Sequence, residues 1–182
     1  MITYTINDTE KQLRNKLSEI KVLEFEQILY ILNNESDFFD KYINIFSLLG
    51  MSTEDIETIT PKEFIKITKE FNISDWNSTE FIREVTVDGK KYQSFTGDKF
   101  VLSIRDLAKI EKYIKLDKKF FFGELLAIIY KDHSVSKELW YTESTIKDKA
   151  KLFRDHLTAD IILPYVNIIV VDIMTKINSE II

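Results

Sequence analysis

Two histidines, His133 and His156, supply all the imidazole in this 182-residue chain, and neither belongs to an H-x-x-x-H or H-E-x-x-H spacing. His133 follows Asp132 in a polar stretch and His156 follows Asp155 near a helix end, so exposed or helix-capping roles account for both. With no cysteine present, disulfides, thiolate metal sites and a cysteine nucleophile are excluded together. The four glycines stand apart at positions 50, 89, 97 and 123, which leaves neither a Gly-rich phosphate loop nor a G-x-S-x-G elbow. Carboxylates are plentiful, and Asp106 with Glu111 or Asp155 with Asp160 fall near helical spacing. Acid–base work needs one carboxyl of such a pair in an apolar pocket that raises its pKa. Each of these acids has Lys or Arg close by in sequence, so solvated helix faces are the expectation. No catalytic, cofactor-binding or metal-ligating residue is assigned.

Aromatic residues form the more promising set. Phe120-Phe121-Phe122 cannot all face one core, because three consecutive helical residues span roughly 200°. At least one of them must be exposed, lie in a loop or meet another chain. Trp140-Tyr141 raises the same question in a polar stretch, and Trp and Tyr are favoured interface anchors. The alternative for both is local packing under a loop. Ile181-Ile182 adds apolar surface at a chain end, which frays unless something holds it. Phe120, Phe121, Trp140, Tyr141, Ile181 and Ile182 are therefore the candidate partner interface.

The elements that must carry these residues are mainly helical. Gly (4) and Pro (2) are scarce, which favours long helices over a many-stranded fold. Ile2, Tyr4 and Ile6 alternate as in a short strand or extended arm, and from Asp8 onward the spacing predicts helix through Leu13, Leu17, Ile20 and Leu23. Phe25, Ile28, Leu29 and Leu32 continue it to a polar break at Asn33–Ser36. Phe38, Phe39, Tyr42, Ile43, Phe46 and Leu49 form a second apolar stripe, ended by Gly50. Ser52 caps a short helix, and Thr60-Pro61-Lys62-Glu63 reads as a capping box with Pro at the first helical position. Val85-Thr86-Val87-Asp88-Gly89-Lys90-Lys91-Tyr92 predicts a hairpin on a type I′ turn, with a further short strand at 100–102.

Beyond the hairpin, Ser103 caps a helix whose inward face is Leu107, Ile110, Tyr113 and Ile114. Phe120 to Tyr130 reads as a buried helix in which Gly123 allows a neighbour to approach closely. A helix from about Thr145 to His156 precedes a last one that is apolar nearly all round, with Pro164 kinking it or marking its start. The prediction is thus a mainly α (α+β) fold with one central β-hairpin. Its organisation is a single unit over 1–182: a helical part at 8–76, the hairpin at about 82–102 and a second helical part at 103–180.

Hydrophobic content of 45% allows a sizeable core. The net charge of −5 with interspersed signs argues against a general nucleic-acid binder. The run Lys115-Leu116-Asp117-Lys118-Lys119 reads as a solvated turn. Residues 1–8 lack the features of a secretory signal, and 161–174 is too short and too interrupted to span a membrane.

Several motifs carry a resemblance. Lys41–Gly50 followed by Ser52–Ile56, then Thr60–Phe64, the hairpin Val87–Tyr92, Leu102–Leu107 and Leu125–Tyr130 resemble the small virion and tail-assembly proteins of tailed bacteriophages, especially the crAss-like and related large phages. The likeness covers residues 25–175 and departs at Lys131-Asp132-His133-Ser134, where similar proteins carry a Pro/Gly/Lys-rich turn. It implies a non-enzymatic structural protein, made in the host cytoplasm and present in many copies in the portal, neck or tail of the virion. Its implied partners are other phage structural proteins and copies of itself, with no membrane, nucleic acid or cofactor. The alternatives are a tail-assembly chaperone that transiently covers a tape-measure-like protein, and a small regulator of a host protein.

Overall fold

A computed structural model of the chain describes residues 1–72, 80–94, 102–115, 121–166 and Ile169. The fold is mainly α with some β, as the scarcity of Gly and Pro predicts. The N-terminus departs from the sequence expectation. Strands β1 (Ile2–Ile6) and β2 (Thr9–Leu13) pair antiparallel, Ile2 opposite Leu13 and Ile6 opposite Thr9, where helix was predicted from Asp8. The turn is made by Asn7 (φ 49°) and Asp8 (φ 60°), two residue types that reach the left-handed region without glycine. The described residues therefore contain two hairpins rather than one.

A 3₁₀ turn at Leu17–Glu19 leads into α1 (Val22–Asn34). The chain entering α1 is clamped from far along the sequence: Val22 N–H donates to Leu157 O (2.9 Å) and Ala159 N–H to Ile20 O (2.8 Å). Helices α2 (Phe38–Leu48), α3 (Thr53–Thr58) and α4 (Pro61–Glu70) follow with the predicted punctuation. Gly50 sits just past α2 at φ 108°, and Ser52 Oγ accepts from Asp55 N–H. Thr60 caps α4, but the predicted box is only half made. Glu63 Oε1 accepts from Thr5 N–H of β1 (3.2 Å), tying the hairpin to α4.

The second hairpin matches its prediction: β3 (Glu84–Val87) and β4 (Lys90–Gln93) turn at Asp88 (φ 50°) and Gly89 (φ 73°). Of the further strand expected at 100–102, residues 100 and 101 lie outside the described residues, and Leu102 is not in a strand. Gln93 instead bridges Lys131 on the far edge of β4.

Helix α5 (Ile104–Lys115) starts on a full capping box, in which Ser103 Oγ accepts from Asp106 N–H while Asp106 Oδ2 accepts from Ser103 N–H. Its inward face is narrower than predicted: Ile110 and Tyr113 are buried, Leu107 is half-buried and Ile114 is exposed. Helix α6 (Phe122–Ile129) is buried on all sides, and α7 (Glu143–His156) packs across it at Gly123. A Cβ at that glycine would lie 2.9 Å from Ala150 O and 2.8 Å from the Arg154 guanidinium, which is the close approach anticipated from sequence. The predicted last helix begins as a 3₁₀ turn at Ala159–Ile161 and a helical turn at 163–166 that contains Pro164. One apolar cluster gathers buried residues from Ile2 to Ile169.

Candidate interaction surface

Of the residues predicted to meet a partner, Phe121, Trp140 and Tyr141 are among the described residues. Phe120, Ile181 and Ile182 lie outside the described residues. Phe121 is half-buried ahead of α6, its ring 4.6 Å from that of Phe122, which lies 5.6 Å from Phe25 of α1. Trp140 is buried: its indole N–H donates to Asp132 O (2.7 Å), and His133 stands edge-on at 5.0 Å. Tyr141 is half-buried, donates its O–H to Asp106 Oδ1 (2.8 Å) and lies under the Arg105 guanidinium at 4.2 Å. Trp140 and Tyr141 thus make their contacts within the chain, to Asp132 and His133 and to Arg105 and Asp106.

The acids need a correction, because four of them are buried rather than solvated. Asp106 is 2% exposed and gathers Lys131 Nζ, Tyr141 O–H and both donors of Ser103. Burial pushes its carboxyl up, but the bonds from Lys131 and Ser103 outweigh that and hold it below the usual range. Asp55 accepts from Lys11 Nζ and Tyr4 O–H, and its carboxyl is held low chiefly by Lys11. Tyr4 is pushed up to about 12 by burial and by that carboxylate.

The remaining pair, Glu26 of α1 and Glu124 of α6, flanks Arg154 of α7. Arg154 Nε donates to Glu26 Oε2 at 2.7 Å, and its Nη2 to Glu124 Oε2. Glu26 Oε1 also accepts from Gly123 N–H (3.0 Å), which supplies α6 with the cap that Phe121 cannot. Burial raises the Glu26 pKa, and Arg154 only partly offsets it. Lys149 is buried with its ammonium on Tyr130 O (3.1 Å), and desolvation pushes it down to about 8. All of these groups are turned inward onto one another.

The surface of the described residues includes shallow hollows. One, of about 420 Å³ between α1 and α2, is lined by Gln27, Tyr30, Ile31, Asn44, Ser47 and Leu48. Another, of about 320 Å³, lies beside β4, where Asp132 is already committed to Ser134 N–H and Oγ. Among the described residues no group of three or more His, Asp or Glu is placed to hold a metal ion. No described helix is long and apolar enough to cross a membrane.

The feature the sequence reading did not isolate is on α2 and α4. Phe38 and Phe39, placed by spacing in the second apolar stripe, are 47% and 54% exposed, and Ile65 is 42% exposed. Phe38 and Phe39 form the outer rungs of an aromatic ladder. Buried Phe46 touches Phe64 (5.6 Å) and Phe71 (5.9 Å), Tyr42 touches Phe46 (5.7 Å), Phe39 lies on Phe64 (5.7 Å), and Phe38 contacts Tyr42 (5.0 Å) and Phe39 (5.4 Å). Compared with protein families, with curated proteins and with solved structures, the chain finds no match.

Proposed function

We propose that this chain is a non-enzymatic assembly protein and, in the setting its sequence resemblance implies, a multi-copy virion component of the portal, neck or tail of a tailed phage. The observation that carries the reading is the aromatic ladder, which runs from the core at Phe46 to exposed rings at Phe38 and Phe39. Rings braced in this way meet a partner without losing further side-chain freedom. Support also comes from the buried titratable groups, since Asp55, Asp106, Glu26, Glu124 and Lys149 are each spent on internal contacts.

The test is light scattering on the pure protein, alone and mixed with the products of neighbouring genes, followed by a search for the chain in washed particles. A fixed-stoichiometry complex and a constant copy number in particles is the expected result. Absence from particles, with binding confined to an unassembled tape-measure-like protein, would replace this reading with that of a chaperone.

A further inference from the structure

We infer that Glu26, Glu124 and Arg154 form a proton-operated joint between α1, α6 and α7, which binds one proton as a unit and holds the three helices more tightly when it does. The joint is independent of the assembly reading and adds a response to acid.

Formal charge at this junction does not balance. Glu26 is 1% exposed and Glu124 6%, so both carboxylates are out of water. Among the described residues Arg154 is the cation that meets them, which leaves one excess negative charge in a buried cluster. Arg154 Nη2 donates to Glu26 Oε1 (3.4 Å) and also to Glu124 Oε2, so the two carboxylates flank a single nitrogen. Like charges that share a buried site titrate together, and one of them keeps its proton to a higher pH.

The surrounding elements only partly supply the missing charge. From α6, Gly123 N–H donates to Glu26 Oε1 (3.0 Å) and brings the positive end of that helix with it. From α7, Ala150 O faces Gly123 and carries no formal charge. From α5, Tyr113 lies in the field of Glu124, and its surroundings add one acid and one base of α7, Glu143 and Lys147. The rings of Phe25 and Phe122, 5.6 Å apart, put apolar surface between α1 and α6. Burial wins at Glu26, whose carboxyl is held above the usual range against the pull of Arg154 and Gly123 N–H.

A proton on either carboxyl leaves one carboxylate facing one guanidinium, with a neutral O–H free to donate beside them. The uncompensated charge is gone, and with it the cost of keeping it dry. The unfolded chain binds that proton near the ordinary glutamate value of about 4.3, below the folded one. The joint is therefore tightest in acid and loosens as pH rises from that value through the folded one. Because Glu26 lies on α1 and Arg154 on α7, acid strengthens the closure of the N-terminal part onto the last described helices.

The test is an NMR titration of the full chain, labelled with ¹³C at the glutamate carboxyls, from about pH 3 to about pH 8. Glu26 is expected to titrate above 4.3, roughly the ordinary glutamate value, with Glu124 and the Gly123 amide moving at the same midpoint. Glu26→Gln, a fixed mimic of the protonated carboxyl, should remove that step. In urea unfolding the variant should gain on the wild type near pH 7 and lose at least about half of that advantage by pH 4. A Glu26 that only fills space gives a difference that does not change with pH. Should the variant fail to fold, the wild-type resonances, assigned through their bonded backbone, carry the test alone. A Glu26 midpoint at or below about 4.3, a Glu124 or Gly123 signal that ignores it, or a pH-independent difference between the two proteins would each overturn the inference. None of these outcomes bears on whether the chain enters particles.

Discussion

Removing the Arg154 guanidinium by Arg154→Met tests how the helical body is held together. Arg154 is the shared cation of two buried carboxylates, with side chains 16% exposed for Arg154, 0% for Glu26 and 8% for Glu124. Methionine fills much of the volume but neutralises neither acid. Deleting one partner of a buried ionic contact leaves an uncompensated charge and costs about 3–5 kcal/mol. With a urea slope of about 2 kcal/mol/M, the unfolding midpoint should fall by roughly 1.5–2.5 M. The loss has a pH signature. The folded pKa of Glu26 is raised, chiefly by burial, so the folded chain holds that proton more tightly than the unfolded one. Its unfavourable contribution is absent at low pH and grows as pH rises past the unfolded value of about 4.3. Without Arg154 the effect enlarges, so the gap between variant and wild type narrows as pH falls from 7 to 4. Adding Glu26→Gln and Glu124→Gln to the variant should recover most of the loss, because no orphaned charge remains. Equilibrium urea unfolding at several pH values reads all of this. A loss below about 1 kcal/mol, or one that persists after both glutamates are neutralised, would refute the account.

Gly123→Ala gains helix propensity but drives a Cβ into Ala150 O and Arg154, so we expect a net loss of about 1–3 kcal/mol in urea unfolding. Tyr141→Phe should cost about 1–2 kcal/mol by taking a donor from buried Asp106, whereas Trp140→Ala should cost about 3 kcal/mol or more by opening a cavity. Lys149 has a folded pKa of about 8, below its unfolded value near 10.4, so folding gains stability as pH climbs between them. Thermal melts across that window should show the wild type gaining on Lys149→Met. Asp55 is held low, so its contribution is complete above an unfolded pKa of about 3.9 and is lost as pH falls through the folded value. Asp55→Asn should accordingly flatten the acid limb of the stability profile.

What the sequence revealed was local. Helical spacing and caps at Ser52, Thr60 and Ser103 located helix starts because each is decided within four residues. Asp88-Gly89 betrayed its hairpin for the same reason. Strand β2 escaped because Thr9–Leu13 buries only Leu13 and so shows no alternation, and because Asn7-Asp8 makes its turn without glycine. The buried acids were illegible for a different reason. Asp55 meets its lysine 44 positions away and Glu26 meets Arg154 at a separation of 128, so the Lys or Arg adjacent in sequence said nothing about solvation. Phe38 and Phe39 fit the apolar stripe by spacing yet are exposed, because spacing groups residues on a helix face without showing how much of that face another element covers.

The clamp at the start of α1 bears on how the chain emerges from the ribosome. Val22 waits for Leu157, Lys21 for Thr158, and Glu26 for Arg154. At about 5–20 residues per second, the 128 positions between Glu26 and Arg154 take roughly 6–26 s to synthesise. Throughout that interval α1 lacks its contacts with α7, whereas the first hairpin already has α3 and α4 to close on. Such long-range closure slows folding relative to a local helical bundle. The nascent chain is therefore open to proteases and chaperones until the last fifth of its length has been made, and a ribosome stalled before α7 releases a fragment that cannot complete its core.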